Sequence, residues 1–232
     1  MSTRKLVLLH TLPPLIDLFS RLASEILPDV KPVHILDEPL LERINWRGGL
    51  AVADAERVQQ HRLMAGDIEA DVMLVTCSTI SPCVDQVRAW KGIPIIKIDE
   101  AMIKEAVRSG RHIGVLATAN STLEPTRQLL LAQSQLTGQS ITLDLRLVDG
   151  ALTALLSGDN ENHDRLVRAA IIELSKHSDV VMLAQASMAR VLSAIPVAEQ
   201  RVPLLSSPHL ALDQVRRLIS PEGERNHVNP SP

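Results

Sequence analysis

Apolar residues along the chain follow two alternating rhythms. Short unbroken runs such as Leu6 to Leu9 read as strands buried on both faces, while Leu15, Leu18, Phe19, Leu22 and Ile26 recur at helical spacing. Pro13 and Pro14 stand at the start of that helix, where a missing N–H costs least. The pattern continues with a helix over about 53–68, a strand over 71–76, a short helix ending near Trp90 and a strand over 94–98. A helix over 99–108 closed by Gly110, a strand over 112–117, a helix over about 122–136 and a strand over 141–148 follow. A helix over about 162–176, a strand over 179–183, a helix over about 187–194, a strand over 202–205 and a helix reaching Leu218 complete the series. Strands that alternate with helices and are apolar on both faces predict an α/β fold with mostly parallel sheets. Residues 221–232, PEGERNHVNPSP, are too polar and proline-rich to fold and are expected to be disordered.

The series repeats. ADVMLVTCST from Ala70 aligns with SDVVMLAQAS from Ser178, RKLVLLHT from Arg4 with RHIGVLAT from Arg111, and IPIIKI from Ile93 with VPLLSS from Val202. All three offsets lie between 107 and 109 residues and keep the same order, which predicts a duplicated α/β unit. The expected lobes are residues 1–97 with 206–220, and residues 98–205. In doubly wound sheets ligands bind beyond the carboxyl ends of the strands. The loops to search are therefore His10 and Thr11, Cys77 to Thr79, Thr118 to Thr122, and Gln185 to Ser187. Under the repeat, Cys77 and Gln185 occupy equivalent positions.

Composition narrows the function classes. The chain is 45% hydrophobic, yet Phe19, Trp46 and Trp90 are its only aromatic residues, so the core is aliphatic and base-stacking platforms for nucleic acid are lacking. A net charge of −3 provides no basic field for nucleic acid or an anionic membrane. No apolar run reaches the ~18 residues of a membrane span. Pro13 and Pro14 interrupt the first apolar run, which fails as a signal peptide. Cys77 and Cys83 form neither a disulfide framework nor a metal-binding spacing, and a cytoplasmic setting without metal is expected.

DVMLVTCSTI resembles the Cys-Asn/Ser-Thr motif of the aspartate/glutamate/hydantoin racemase superfamily, and IGVLATANSTLEP resembles its second-lobe strand and following loop. DVVMLAQASM resembles the strand of its second cysteine motif, and the likeness runs from about Leu6 to Ile219. The resemblance implies two flavodoxin-like lobes with parallel sheets, related by a pseudo-twofold axis with the active site in the cleft between them. It also implies a homo-oligomer and cofactor-independent chemistry by two cysteines flanking the α-carbon of a small carboxylic acid. Here Gln185 replaces the second cysteine. Two-base racemisation needs an acid and a base on opposite faces, and an amide is neither. One-cysteine relatives of the arylmalonate decarboxylase type resemble the second-lobe site, whereas this chain keeps the first-lobe cysteine.

The resemblance thus implies an isomerase or racemase, or a one-cysteine decarboxylase or lyase, with Cys77 as acid/base and His10 as a second candidate. A non-catalytic carboxylate-binding or regulatory protein is the alternative, and a thiol hydrolase would need a histidine beside Cys77 that only His10 could supply. A strand-to-helix turn favours a Cys77 thiolate through helix N–H groups and the dipole. Ser78 and Thr79 would join those donors on a substrate carboxylate or enolate. Thr11, Thr118, Asn120, Ser121 and Thr122 would hold a second carboxylate, with Gln185, Ala186 and Ser187 completing the cradle. The same hydroxyls also suit helix caps. Cys83 reads as packing. His209 is expected to line the site from the start of the last helix, and Arg43, Arg47 and Trp46 are expected in a flexible loop near it.

Overall fold

The computed structural model describes residues 3–220, so the tail expected to be disordered at 221–232 lies outside the described residues. The first half runs β1 (Arg4–His10), α1 (Pro14–Ile26), β2 (Val30–Leu36), α2 (Glu38–Arg47), α3 (Val52–Asp67), β3 (Val72–Val75), α4 (Ser81–Val87) and β4 (Ile95–Lys97). The second runs α5 (Glu100–Ser109), β5 (His112–Ala117), α6 (Asn120–Thr137), β6 (Thr142–Leu147), α7 (Ala151–Leu156), α8 (Asn160–Leu174), β7 (Val180–Leu183), α9 (Ala189–Ser193), β8 (Leu204–Ser206) and α10 (Ser207–Ile219). The chain divides into two compact units, each built on a four-stranded sheet whose strands are all parallel. The orders β2-β1-β3-β4 and β6-β5-β7-β8 are the same order used twice.

The first unit holds the chain up to Thr76, Pro82–Lys97 and the stretch from Pro208. Cys77–Ser81 belongs to the second unit with Ile98–Ser207, whereas the sequence division put it in the first. Side-chain hydrogen bonds explain this: Ser78 Oγ donates to the Ala184 carbonyl at 2.9 Å, and Thr79 and Thr122 hydroxyls lie 3.4 Å apart.

Each sheet buries its two central strands. β3 and β7 are buried at every residue, as is β1 from Leu6 onward. An aliphatic cluster of Leu116, Val167, Ile171, Leu174, Val181 and Leu183 fills one side of the second sheet. The aspartates of the repeated ADV and SDV segments have the same local task. Asp71 accepts from the Lys5 N–H at 2.7 Å, and Asp179 accepts from the Arg111 and His112 N–H groups at 2.8 Å. Each carboxylate thereby satisfies N–H groups at the start of the neighbouring strand, which the ladder leaves open.

β2, α2 and α7 lie outside the periodic pattern. β2 (VKPVHIL) is an edge strand of mostly half-buried residues, and Pro32 is tolerated there because an edge need not donate on both sides. Gly110 does not close α5 in a left-handed conformation; its φ of −170° and ψ of 170° are extended. The residue is small because an added Cβ would stand 2.5 Å from Asp179 Cβ. Arg62, buried in α3, donates to the carbonyls of Val87, Trp90, Gly92 and Ile93 at 2.6–3.3 Å, fixing the connection from α4 to β4.

A Cβ on Gly114 in β5 would lie 2.5 Å from Leu174 Cγ and 2.6 Å from Ser178 Oγ. Gly114→Ala must therefore push α8 off the sheet, and overpacking of this kind costs about 2 kcal/mol. Urea unfolding will show a lower midpoint for this variant with an unchanged m-value; an unchanged midpoint would contradict the packing described.

Candidate functional site

Two turns of the same local geometry follow the central strands β3 and β7. Cys77 is extended (φ −115°, ψ 115°) and leads into the 3₁₀ turn Ser78–Ile80, whose Ile80 N–H donates to the Cys77 carbonyl at 3.2 Å. Gln185 is extended (φ −132°, ψ 137°) and leads into the 3₁₀ turn Ala186–Met188, whose Met188 N–H donates to the Gln185 carbonyl at 3.1 Å. Cys77 is half-buried, whereas Cys83 is fully buried in α4 as a packing residue.

Gln185 does something the sequence did not suggest. Its Oε1 accepts from the Thr118 N–H, from Thr118 Oγ1 at 2.9 Å and from the Ala119 N–H at 3.2 Å. Backbone N–H groups can only donate, so the amide oxygen, not the nitrogen, must face them. These donors open α6, whose N-cap is Ala119 and whose own side chain cannot cap. Gln185 caps the helix from the turn that follows β7. Its oxygen stands where three donors and the positive end of an eighteen-residue helix converge, which is the environment a carboxylate or enolate oxygen favours.

The other candidates are distributed unevenly. Thr118, Thr122, Ala186 and Ser187 are buried in the second unit with Ser78 and Thr79; Asn120 is exposed and Ser121 half-buried in the first turn of α6. The hydroxyls of Thr11 and Ser187 are buried without a hydrogen-bond partner among the described residues. His209 is exposed. Arg43 and Arg47 are engaged by Asp54, which also accepts from the Ala51 N–H at 2.8 Å, and Trp46 is 90% exposed. Burial pushes the Asp54 carboxyl up, but that N–H and the two guanidiniums hold it below the usual range. Asp37 is likewise buried and held below its ordinary value, because Arg57 and His61 outweigh the cost of burial.

His10 is fully buried with both ring nitrogens engaged. Nδ1 lies 2.8 Å from Thr76 Oγ1 and Nε2 lies 2.9 Å from His34 Nδ1. His34 Nε2 lies 3.0 Å from Ser20 Oγ, and Phe19 and His34 flank the His10 ring at centroid distances of 5.6 and 5.2 Å. Burial, aided by the His34 charge, pushes the His10 pKa down to about 3. His10 is therefore neutral at physiological pH and has no ring nitrogen free to take a proton from a ligand. Thr76, His34 and Ser20 went unnoticed in the sequence. A signal existed: β1 pairs His10 with Leu36, so His34, two residues back on β2, lies on the same face. Reading it required recognising β2.

With this geometry in hand, comparison with known proteins gives the class. The profile of the Asp/Glu/Hydantoin racemase family matches residues 17–215, and the chain belongs to that family. No curated protein sequence matches significantly. Among solved structures, an allantoin racemase from Klebsiella pneumoniae is similar at 18% identity and TM-score 0.71, over 93% of this chain and 87% of that one. A glutamate racemase from Bacillus anthracis is similar at 16% identity and TM-score 0.73, over 96% and 84%. An aspartate racemase from Picrophilus torridus is similar at 14% identity and TM-score 0.71, over 92% and 93%. At these identities the likeness is one of fold: the two-lobed α/β architecture is that of the racemases.

Two outcomes follow from the geometry. Replacing Gln185 by Met removes the cap of α6 and will lower stability by about 1 kcal/mol, whereas Gln185→Glu, which keeps an oxygen among the donors, will retain it; thermal unfolding of the two variants separates them. His10 binds a proton near pH 6.5 when unfolded but only near pH 3 when folded. Its contribution to stability is complete above pH 6.5 and is lost as pH falls toward 3, by a few kcal/mol in the limit. Denaturation across this range will show the slope, and His10→Gln will flatten it by close to one proton.

Proposed function

We propose that the chain is an enzyme that moves a proton at the α-carbon of a small carboxylic acid, with Cys77 as its acid/base and no requirement for an organic cofactor. Family membership supports the general chemistry. The observation that carries the particular reading is the pairing of two turns of one geometry, one bearing a thiol and the other an amide already lodged among oxyanion donors. A thiolate at Cys77 takes the α-proton, leaving a carbanion delocalised into the carboxylate. The resulting thiol returns the proton to the same carbon or exchanges it with water. In the decarboxylating version the bond to a second carboxylate breaks, carbon dioxide leaves, and the Cys77 thiol protonates the carbanion before water restores the thiol.

Gln185 has no useful pKa, so its turn lacks the acid that two-base racemisation needs on the second face of the α-carbon. Decarboxylation, elimination or one-base isomerisation therefore fits this chain better than racemisation of a free amino acid. Thr118 and the start of α6 would hold the substrate's carboxylate once the Gln185 side chain yields its place, and Ser78, Thr79, Thr122 and Ser187 of the same unit would supply hydroxyls around it.

The test is NMR detection of solvent deuterium entering the α-position, or of carbon dioxide loss, over amino, hydroxy and malonic acids. Turnover of one class that falls at least ~100-fold in Cys77→Ser is the expected result. An unaffected Cys77→Ser would remove the thiol from the chemistry. Absence of turnover across the panel, with ligands still raising the thermal midpoint, would point to a carboxylate-binding protein instead.

A further inference from the structure

Thr76, His10, His34 and Ser20 of the first unit form one unbroken hydrogen-bonded chain. Its ends are fixed: Thr76 Oγ1 lies 2.9 Å from the Leu9 carbonyl, and Ser20 Oγ lies 2.8 Å from the Ile16 carbonyl. Between these two pure acceptors there are five links: Leu9 to Thr76, Thr76 to His10, His10 to His34, His34 to Ser20, and Ser20 to Ile16. With both rings neutral, the two hydroxyls and two imidazoles bring one hydrogen each, four for five links. One link is then empty.

The empty link cannot lie between the rings, where two lone pairs would face each other at 2.9 Å. It falls at one end, where the carbonyl is tolerant; the Leu9 oxygen, for example, also accepts from the Thr76 N–H at 3.0 Å. The neutral chain therefore has two polarities. In one, Ser20 donates to His34, His34 to His10, His10 Nδ1–H to Thr76, and Thr76 to Leu9. In the other every bond is reversed, His10 carries its hydrogen on Nε2, and Thr76 donates to His10. A fifth hydrogen fills every link, with the extra charge on one ring or the other, and the half-buried His34 rather than the sealed His10 is the ring that can take it. His34 then carries both its N–H bonds, His10 is the Nδ1–H tautomer and the Thr76 hydroxyl points to Leu9.

We propose that Ser20, His34, His10 and Thr76 are a single-proton relay, in which uptake of one proton at His34 sets the tautomer of His10 and the direction of the Thr76 hydroxyl, the residue bonded to Cys77. His34 and His10 are thus positioning residues acting through Thr76. When the filled chain gives up the Thr76 hydroxyl hydrogen to a base, the His10 Nδ1 hydrogen moves to Thr76 and the His34 Nδ1 hydrogen moves to His10 Nε2. One proton has then entered at His34 and one has left at Thr76. His34 is the half-buried member and His10 is sealed. The groups facing the relay are Asp17 and Phe19 on α1, His10 on β1, His34 on β2, and Thr76 after β3. Burial lowers the affinity of His34 for a proton and the Asp17 charge raises it, while His10 stays neutral to about pH 3, so the added proton belongs on His34.

The inference rests on the acid/base reading of Cys77 for its use in turnover, but the relay itself is testable without substrate. Histidine-¹⁵N NMR of the full chain should show N–N coupling between His10 and His34 across their hydrogen bond at neutral pH. On acidification one proton should appear on His34 while His10 moves wholly to the Nδ1–H tautomer. Thr76→Val, which leaves the His10 Nδ1–H without its acceptor, should shift proton uptake by His34 to lower pH, and Thr76→Ser should restore it. Independent titration of both rings, or a His10 that keeps Nε2–H once His34 is charged, would overturn the relay. If an acid is turned over, His34→Gln should displace the pH profile of deuterium entry with KM unchanged. An undisplaced profile would refute the link to turnover even with the relay intact, and absence of turnover in the wild type would sink the proposed function while the NMR still decides the relay.

Discussion

Parallel pairing is the constraint on which the rest of the structure depends. Every strand of each sheet runs in one direction, so in each unit all carboxyl ends lie along the same edge. The two central strands are covered on both faces and admit only apolar side chains, which is why chemistry is absent from VMLV and VVML and begins within two residues of their ends. At that edge the ladder stops, backbone groups lose their partners, and polar side chains must replace them. Thr76, Ser78, Thr118 and Gln185 all do this before any ligand is considered.

The opposite edge is managed by a simpler device used twice. Asp71 and Asp179 each close the open N–H groups at the start of the neighbouring strand, so the sequence repeat keeps an aspartate at both places although its surroundings have diverged. Divergence at the carboxyl edges is larger. The first unit fills its edge with a buried string of two imidazoles and two hydroxyls; the second fills the corresponding edge with one glutamine oxygen on a helix start. The duplicated frame has thus diverged at these edges, with imidazoles and hydroxyls in one unit and an amide oxygen in the other.

Buried charge elsewhere serves architecture. Arg62 binds four carbonyls of one connection, and Asp54 of α3 holds Arg43 and Arg47, which lie in α2 and not in a loop. Each buried charge has its partners in place, because a lone buried charge would cost several kcal/mol. Arg43 and Arg47 are therefore already engaged with Asp54, and the donors at Thr118 and Ala119 are backbone amides and a hydroxyl.

The sequence by itself determined the alternation of elements, the parallel sheets, the duplication and the loops in which Cys77 and Gln185 lie, because burial on both faces writes continuous apolar runs that survive without knowledge of neighbours. It did not reveal β2, whose edge position lets Pro32 and polar residues interrupt the pattern, and with β2 went His34. Nor did it show that Gln185 caps α6, since that helix lies 65 residues upstream and an amide reads the same whether it faces solvent or a row of N–H groups. Only tertiary structure decided these points, and for one reason. Periodicity along a chain records whether a residue is buried, while the role of a buried polar group depends on which partner from another strand or helix reaches it, and that partner is chosen by the pairing of the sheet.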